Sequence, residues 1–128
     1  MSSAPEGAQW LTQFFQACGG CTFDFIPLHW YGDGSQYFEQ YVQNFHNQFG
    51  KPVWVTEWAS TNGDPNGKLA DEDKKLGILT LATTVALSFL KDTTAFLDST
   101  SYVERYSWFA FEVFLSMFHN ALHLTLHH

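Results

Sequence analysis

The sequence is poor in charge and poorest in positive charge. Six Lys and Arg stand against thirteen Asp and Glu, a net charge of −7 over 128 residues. That balance argues against nucleic acid and anionic membrane surfaces as partners, because both are held by clustered cations. Charged residues are 15% of the chain, against about a quarter in an average domain. Long apolar runs are also missing. The longest weakly polar run, Leu76 to Leu90, is interrupted by Thr80, Thr83, Thr84 and Ser88. It falls short of the roughly 20 residues that span a bilayer, and it reads as a buried helix. Met1 to Ala8 is small and polar, so no secretory leader is expected there.

Cysteine is almost absent. Cys18 and Cys21 form one Cys-Gly-Gly-Cys, with no second CxxC or Cys-His pair, so a structural zinc site is not expected. A thioredoxin-like pair would open a helix after a strand. This one follows a predicted helix and precedes a predicted strand. A local disulfide or two inert thiols remain, the glycines allowing the turn. No other metal site is predicted: His29 and His46 lie on different elements, and His127-His128 sits in a terminal tail.

Aromatics are plentiful. Thirteen Phe, five Tyr and five Trp require an aromatic core, an aromatic-lined groove, or both. The length suits one domain with one core. Apolar residues at helical spacing predict helices over Ala8–Ala17, Gln36–Phe49 and from Asp71-Glu72-Asp73 to Phe89 or Leu90. A separate helical piece is predicted over Thr93–Leu97, and another helix over the tail from Phe111. Strand-like stretches run from Cys21 to Leu28, from Val53 to Glu57 and from Tyr102 to Phe109, with Pro27 at odds with the first. The segment after Trp58, Ala59 to Lys68, reads as a loop. Strands separated by helices pair in parallel, which makes the fold class α/β. In such folds the chemistry lies beyond the carboxyl ends of the strands. His29-Trp30-Tyr31, Glu57-Trp58 and Trp108 all fall there.

The stretch Lys51-Pro52-Val53-Trp54-Val55-Thr56-Glu57-Trp58 concentrates the chemistry. A carboxylate ending an apolar strand is either paired or used, because burying it unpaired is costly. Trp54 and Trp58 flank Glu57 with flat faces. A carboxylate between aromatic faces suits a sugar, whose rings stack on indole and whose reacting carbon needs a nearby anion. The plainer reading is a strand-end Glu bonded to backbone or Arg. Glu104 is placed at the opposite mouth of the sheet, paired with Arg105 or another base.

Phe23-Asp24-Phe25-Ile26-Pro27-Leu28-His29-Trp30-Tyr31-Gly32, Phe49-Gly50-Lys51-Pro52-Val53-Trp54-Val55-Thr56-Glu57-Trp58 and Tyr102-Val103-Glu104-Arg105-Tyr106-Ser107-Trp108-Phe109 together resemble the fungal-type glycosyl hydrolases of glycoside hydrolase family 128, endo-β-1,3-glucanases with a (β/α)₈ barrel and retaining chemistry. The likeness runs through residues 10–60 and 89–110. It implies that Glu57 is the nucleophile at the end of the seventh strand. It implies that His29, Trp30, Tyr31, Trp58 and Trp108 bind substrate, that β-glucan is the partner and that no cofactor is needed. The family is typically secreted or cell-wall bound, which implies a Cys18–Cys21 disulfide. The resemblance also implies absences. A whole barrel takes about 250 residues, so this sequence corresponds to about the last three strands with their helices. Residues 1–110 would be the C-terminal portion of the catalytic domain and 111–128 an atypical tail. The family's acid/base Glu follows an Asn, and no Asn-Glu pair occurs here. Gly77–Ser88 and Val113–His128 match nothing in the family. Such a chain is expected to be inactive alone, or to survive as a glucan-binding remnant or truncated product.

Overall fold

The computed structural model describes residues 6–60 and 72–109, and in the last helix the side chains from residue 84 onward. The expected tail helix and domain boundary at 110 lie outside the described residues, as does most of the loop after Trp58.

The elements are α1 (Glu6–Ala17), β1 (Ile26–Tyr31), α2 (Ser35–Phe49), β2 (Val53–Ala59), α3 (Glu72–Ser99) and β3 (Val103–Trp108). The three strands form a parallel sheet in the order β1-β2-β3. Sequential order makes α2 and α3 the crossovers between neighbouring strands, which parallel pairing requires.

The helices settle on one face of the sheet. Along α2, Phe38, Val42 and Phe45 are buried, a spacing that lines up one stripe of a helix. From α3, Phe89, Thr93 and Leu97 repeat every four residues and are buried too. Phe38 joins the layers: its ring meets Phe89 and Phe96 edge-on at 6.1 and 6.3 Å. Below them lie Ile26, Leu28, Val53, Val55 and Trp58 from the strands. Each such apolar side chain, fully buried, contributes about 1.5–3 kcal/mol. Gly50 ends α2 in the left-handed region at φ 61°, its N–H donating to His46 O. Gly34 starts the helix at φ 81°, where a Cβ would stand 2.8 Å from the Tyr37 ring.

Three expectations change. The first strand begins and ends later than expected, at Ile26 and Tyr31. Pro27 fits because Ile26 N–H donates to Pro52 O. Alternation then aims the next nitrogen at the open edge, where no hydrogen is needed. The separate helical piece at Thr93 is continuous with the preceding helix, forming one element from Glu72 to Ser99. That helix is not buried all round: Leu87 is 49% exposed. No helix among the described residues is long and apolar enough to cross a membrane.

Cys18 and Cys21 are joined as a disulfide with their Cα atoms 5.6 Å apart. The link closes the turn between α1 and the approach to β1.

Candidate active site

The site depends on one extra residue in β2. Leu28 of β1 pairs with Val55, but His29 pairs with Glu57. On the other side Tyr106 pairs with Val55 and Trp108 with Trp58, so Thr56 and Glu57 face the single residue Ser107. Thr56 is the inserted residue, and its hydroxyl donates to Leu28 O at 3.3 Å. A one-residue slip moves every following side chain to the other face. Without it Glu57 would follow Val53 and Val55 into the helical layer. With it Glu57 turns to the face opposite the described helices and Trp58 takes its place in the core.

On that open face Glu57 meets the end of β1. Tyr31 donates its phenolic hydrogen to Glu57 Oε2. His29 Nδ1 lies 3.4 Å from the same oxygen, the two side chains being 24% and 34% exposed. Ile26 and Leu28 point into the core, so alternation sends His29 and Tyr31 to the side of Glu57. The Tyr31 hydroxyl is pushed up to about 12, by desolvation first and then by the hydrogen bond and charge of Glu57. It therefore stays protonated, and a donor, across ordinary pH. Phe109, just past β3, meets the Tyr31 ring edge-on at 5.3 Å, its N–H held by Trp58 O. Behind the site Ser60 donates to Asp33 at 3.0 Å, tying the loops after β2 and β1.

Of the residues expected at the site, the structure brings together Glu57, His29 and Tyr31. It removes the three tryptophans. Trp58 is 1% exposed, its indole Nε1 donating to Thr93 Oγ1 at 3.1 Å. Trp108 packs edge-on against Trp58 at 5.3 Å and near Phe89. Trp30 lies against Phe38 and Tyr41. All three pack on the helical layer, Trp58 buried and Trp30 and Trp108 half-buried, on the face away from the Glu57 carboxylate. The flat surfaces near Glu57 are Tyr31 and Phe109, 41% and 44% exposed. Phe109 is not among the residues expected at the site, although the sequence places it at the end of the third predicted strand; the observed strand stops one residue earlier, at Trp108. Further back, Phe25 stacks on Trp54 at 3.7 Å and the Arg105 guanidinium lies 5.0 Å from that indole. Glu104 accepts from Trp54 Nε1 at 2.8 Å, an indole partner where a base was expected.

A hydrogen-bonded carboxylate thus stands at the carboxyl end of the middle strand of a parallel α/β sheet, the end at which such folds commonly carry their sites. The family profile described as glycosyl hydrolase catalytic core matches residues 1–125, and the chain belongs to that family. The match takes in Gly77–Ser88 and most of the tail, which the sequence reading left unmatched. Alkali-sensitive linkage protein 1 of Schizosaccharomyces pombe is 40% identical over 104 residues, covering 81% of this chain and 17% of that protein. An endo-β-1,3-glucanase of glycoside hydrolase family 128 (subgroup IV) from Lentinula edodes has a TM-score of 0.64 at 32% identity, covering 84% of this chain and 37% of its own. A subgroup I endo-β-1,3-glucanase from Amycolatopsis mediterranei, solved with laminarihexaose, has a TM-score of 0.60 at 31% identity, covering 84% and 43%. The chain thus spans less than half the length of each of these relatives. Among the described residues no group of three His, Cys, Asp or Glu could hold a metal ion.

Proposed function

We propose that this chain is the part of a retaining β-1,3-glucan hydrolase that carries the nucleophile, Glu57. The three strands with their helices form a segment of a (β/α)₈ barrel. Sequential parallel strand order, with the described helices all on one face of the sheet, supports that reading. The observation that carries the function is the Tyr31–Glu57 hydrogen bond at the carboxyl end of the middle strand. One strong donor holds a carboxylate oxygen and fixes its direction, and His29 stands beside it.

In the reaction Glu57 attacks the anomeric carbon and forms a glycosyl ester, which water then hydrolyses. Tyr31 stays protonated and orients the attacking carboxylate. Tyr31 and Phe109 offer ring surface to the sugar. A second carboxyl, about 5–5.5 Å from the first, must protonate the leaving oxygen. Asp33 accepts from Ser60 and Glu104 from Trp54, so neither is offered for that task. The acid comes from another segment of the barrel. This separation of roles favours one alternative for the chain alone, glucan binding without cleavage.

A 2-deoxy-2-fluoro laminaribiosyl fluoride, given to the chain joined to a complementary barrel segment, tests the assignment. The expected product is a stable ester on the peptide holding Glu57, seen as added mass. An ester on any other carboxylate would remove Glu57 from its role.

A further inference from the structure

The sheet has a second end, facing away from Glu57. Because the strands are parallel, the segments entering β1 and β2 lie together there. Between them and the C-terminal turns of α1 and α2 is an open groove of about 530 Å³. Its floor is aromatic: Phe15 meets Phe23 edge-on at 4.6 Å and Phe49 at 5.6 Å. Its rim is polar. Gln16 and Gln48 stand on it, and Gln48 Nε2 donates to Thr12 Oγ1 at 3.0 Å, bridging the two helices. Cys21 forms part of the wall, and its disulfide to Cys18 fixes that wall to the end of α1.

The chemistry of the lining selects the ligand. Among the described residues its lining holds no carboxylate and a single cation, Lys51, so it offers little to a phosphate, an acidic peptide or a basic one. Half-buried rings give apolar surface for the faces of a pyranose. Amide and hydroxyl groups both donate and accept, as sugar hydroxyls require. We propose that this groove is a second carbohydrate site, taking a short β-1,3-linked glucan. The choice of glucan rests on the function proposed above; the choice of a neutral, polyhydroxylated ligand rests on the lining alone. Six or seven residues of strand, at about 3.3 Å each, set the groove roughly 20 Å from Glu57. It is therefore separate from the reacting end.

Titrating the full 128-residue chain, disulfide intact, with laminaritriose and following its amide signals by NMR tests the site. Shifts are expected at Gln16, Phe23 and the Gln48 side-chain amide, and they persist in Glu57→Gln. Gln48→Ala, at an exposed position, keeps the folded spectrum and weakens binding at the groove about fivefold or more. Shifts confined to residues around Glu57, or none anywhere, overturn the inference. Groove shifts without any around Glu57 would leave this site standing and count against the function proposed for the other end.

Discussion

Tyr31 donates to Glu57 across the β1–β2 boundary, joining the last residue of one strand to the carboxylate that the Thr56 bulge turns outward. The pair makes the two groups interdependent. Removing the charge of Glu57 takes away its Coulombic effect on the Tyr31 pKa and weakens the hydrogen bond, since a neutral amide oxygen replaces a charged acceptor. Desolvation remains. In Glu57→Gln the Tyr31 pKa is expected to fall from about 12 toward its ordinary value near 10. The Cζ chemical shift of labelled Tyr31 against pH measures it. An unchanged titration would mean the two side chains do not meet in solution.

The same pair sets a pH window. A tyrosine whose folded pKa is raised contributes stability that is complete below its unfolded pKa and is lost as pH rises through the folded one. For Tyr31 the window runs from about 10 to about 12. Tyr41, Tyr102 and Tyr106 are raised as well, so the whole chain should lose stability there. Tyr31→Phe isolates one share of that loss. Its urea midpoint should decline less steeply over this window than that of the parent, and a parallel decline would contradict the assignment.

Trp58 should behave as core. Trp58→Ala removes a side chain that is 1% exposed and should cost about 3–5 kcal/mol. Thr93→Val keeps the shape but leaves the indole N–H without its acceptor, at about 1–3 kcal/mol. Urea unfolding measures both. Values within roughly 0.5 kcal/mol of the parent are typical of surface substitutions. They would return Trp58 to the list of ligand surfaces.

Much of the fold could be read from apolar spacing, and the site could be read only in part, for one reason. Helical stripes such as Phe38, Val42 and Phe45 repeat with a fixed period, so α2 and the alternation of helix with strand were legible. The order of chemistry-bearing residues at strand ends was legible too. Sidedness was not. It depends on whether a strand keeps its alternation, and the Thr56 bulge is set by pairing with two neighbours at once. No local pattern in Val53 to Trp58 announces it. Counting straight through puts Trp54 and Trp58 on one face, whereas the bulge puts Trp58 in the core and Glu57 outside. The late start of β1 has a similar origin: Phe23 and Phe25 look strand-like but are spent on Phe15 and Trp54 before pairing begins.

The last prediction concerns activity, and it rests on the proposed retaining mechanism, in which two carboxyls divide the work. Glu57 is held and oriented, but a retaining glycosidase also needs an acid on the leaving oxygen. Such proton donation contributes typically about 10²–10⁴-fold. On the face proposed to hold the sugar, Tyr31 and Phe109 are exposed among the described residues. Water there weakens the fixed charges that stabilise the transition state. The 128-residue chain on its own should therefore release no measurable new reducing ends from laminarin. Joined to a complementary barrel segment bearing the acid, by fusion or co-expression, it should turn over. Glu57→Gln in that assembly should abolish turnover. Tyr31→Phe should lower kcat more than it raises KM, since it acts on the direction of the nucleophile. Clear hydrolysis by the isolated monomeric chain would place the acid within these residues and overturn the division.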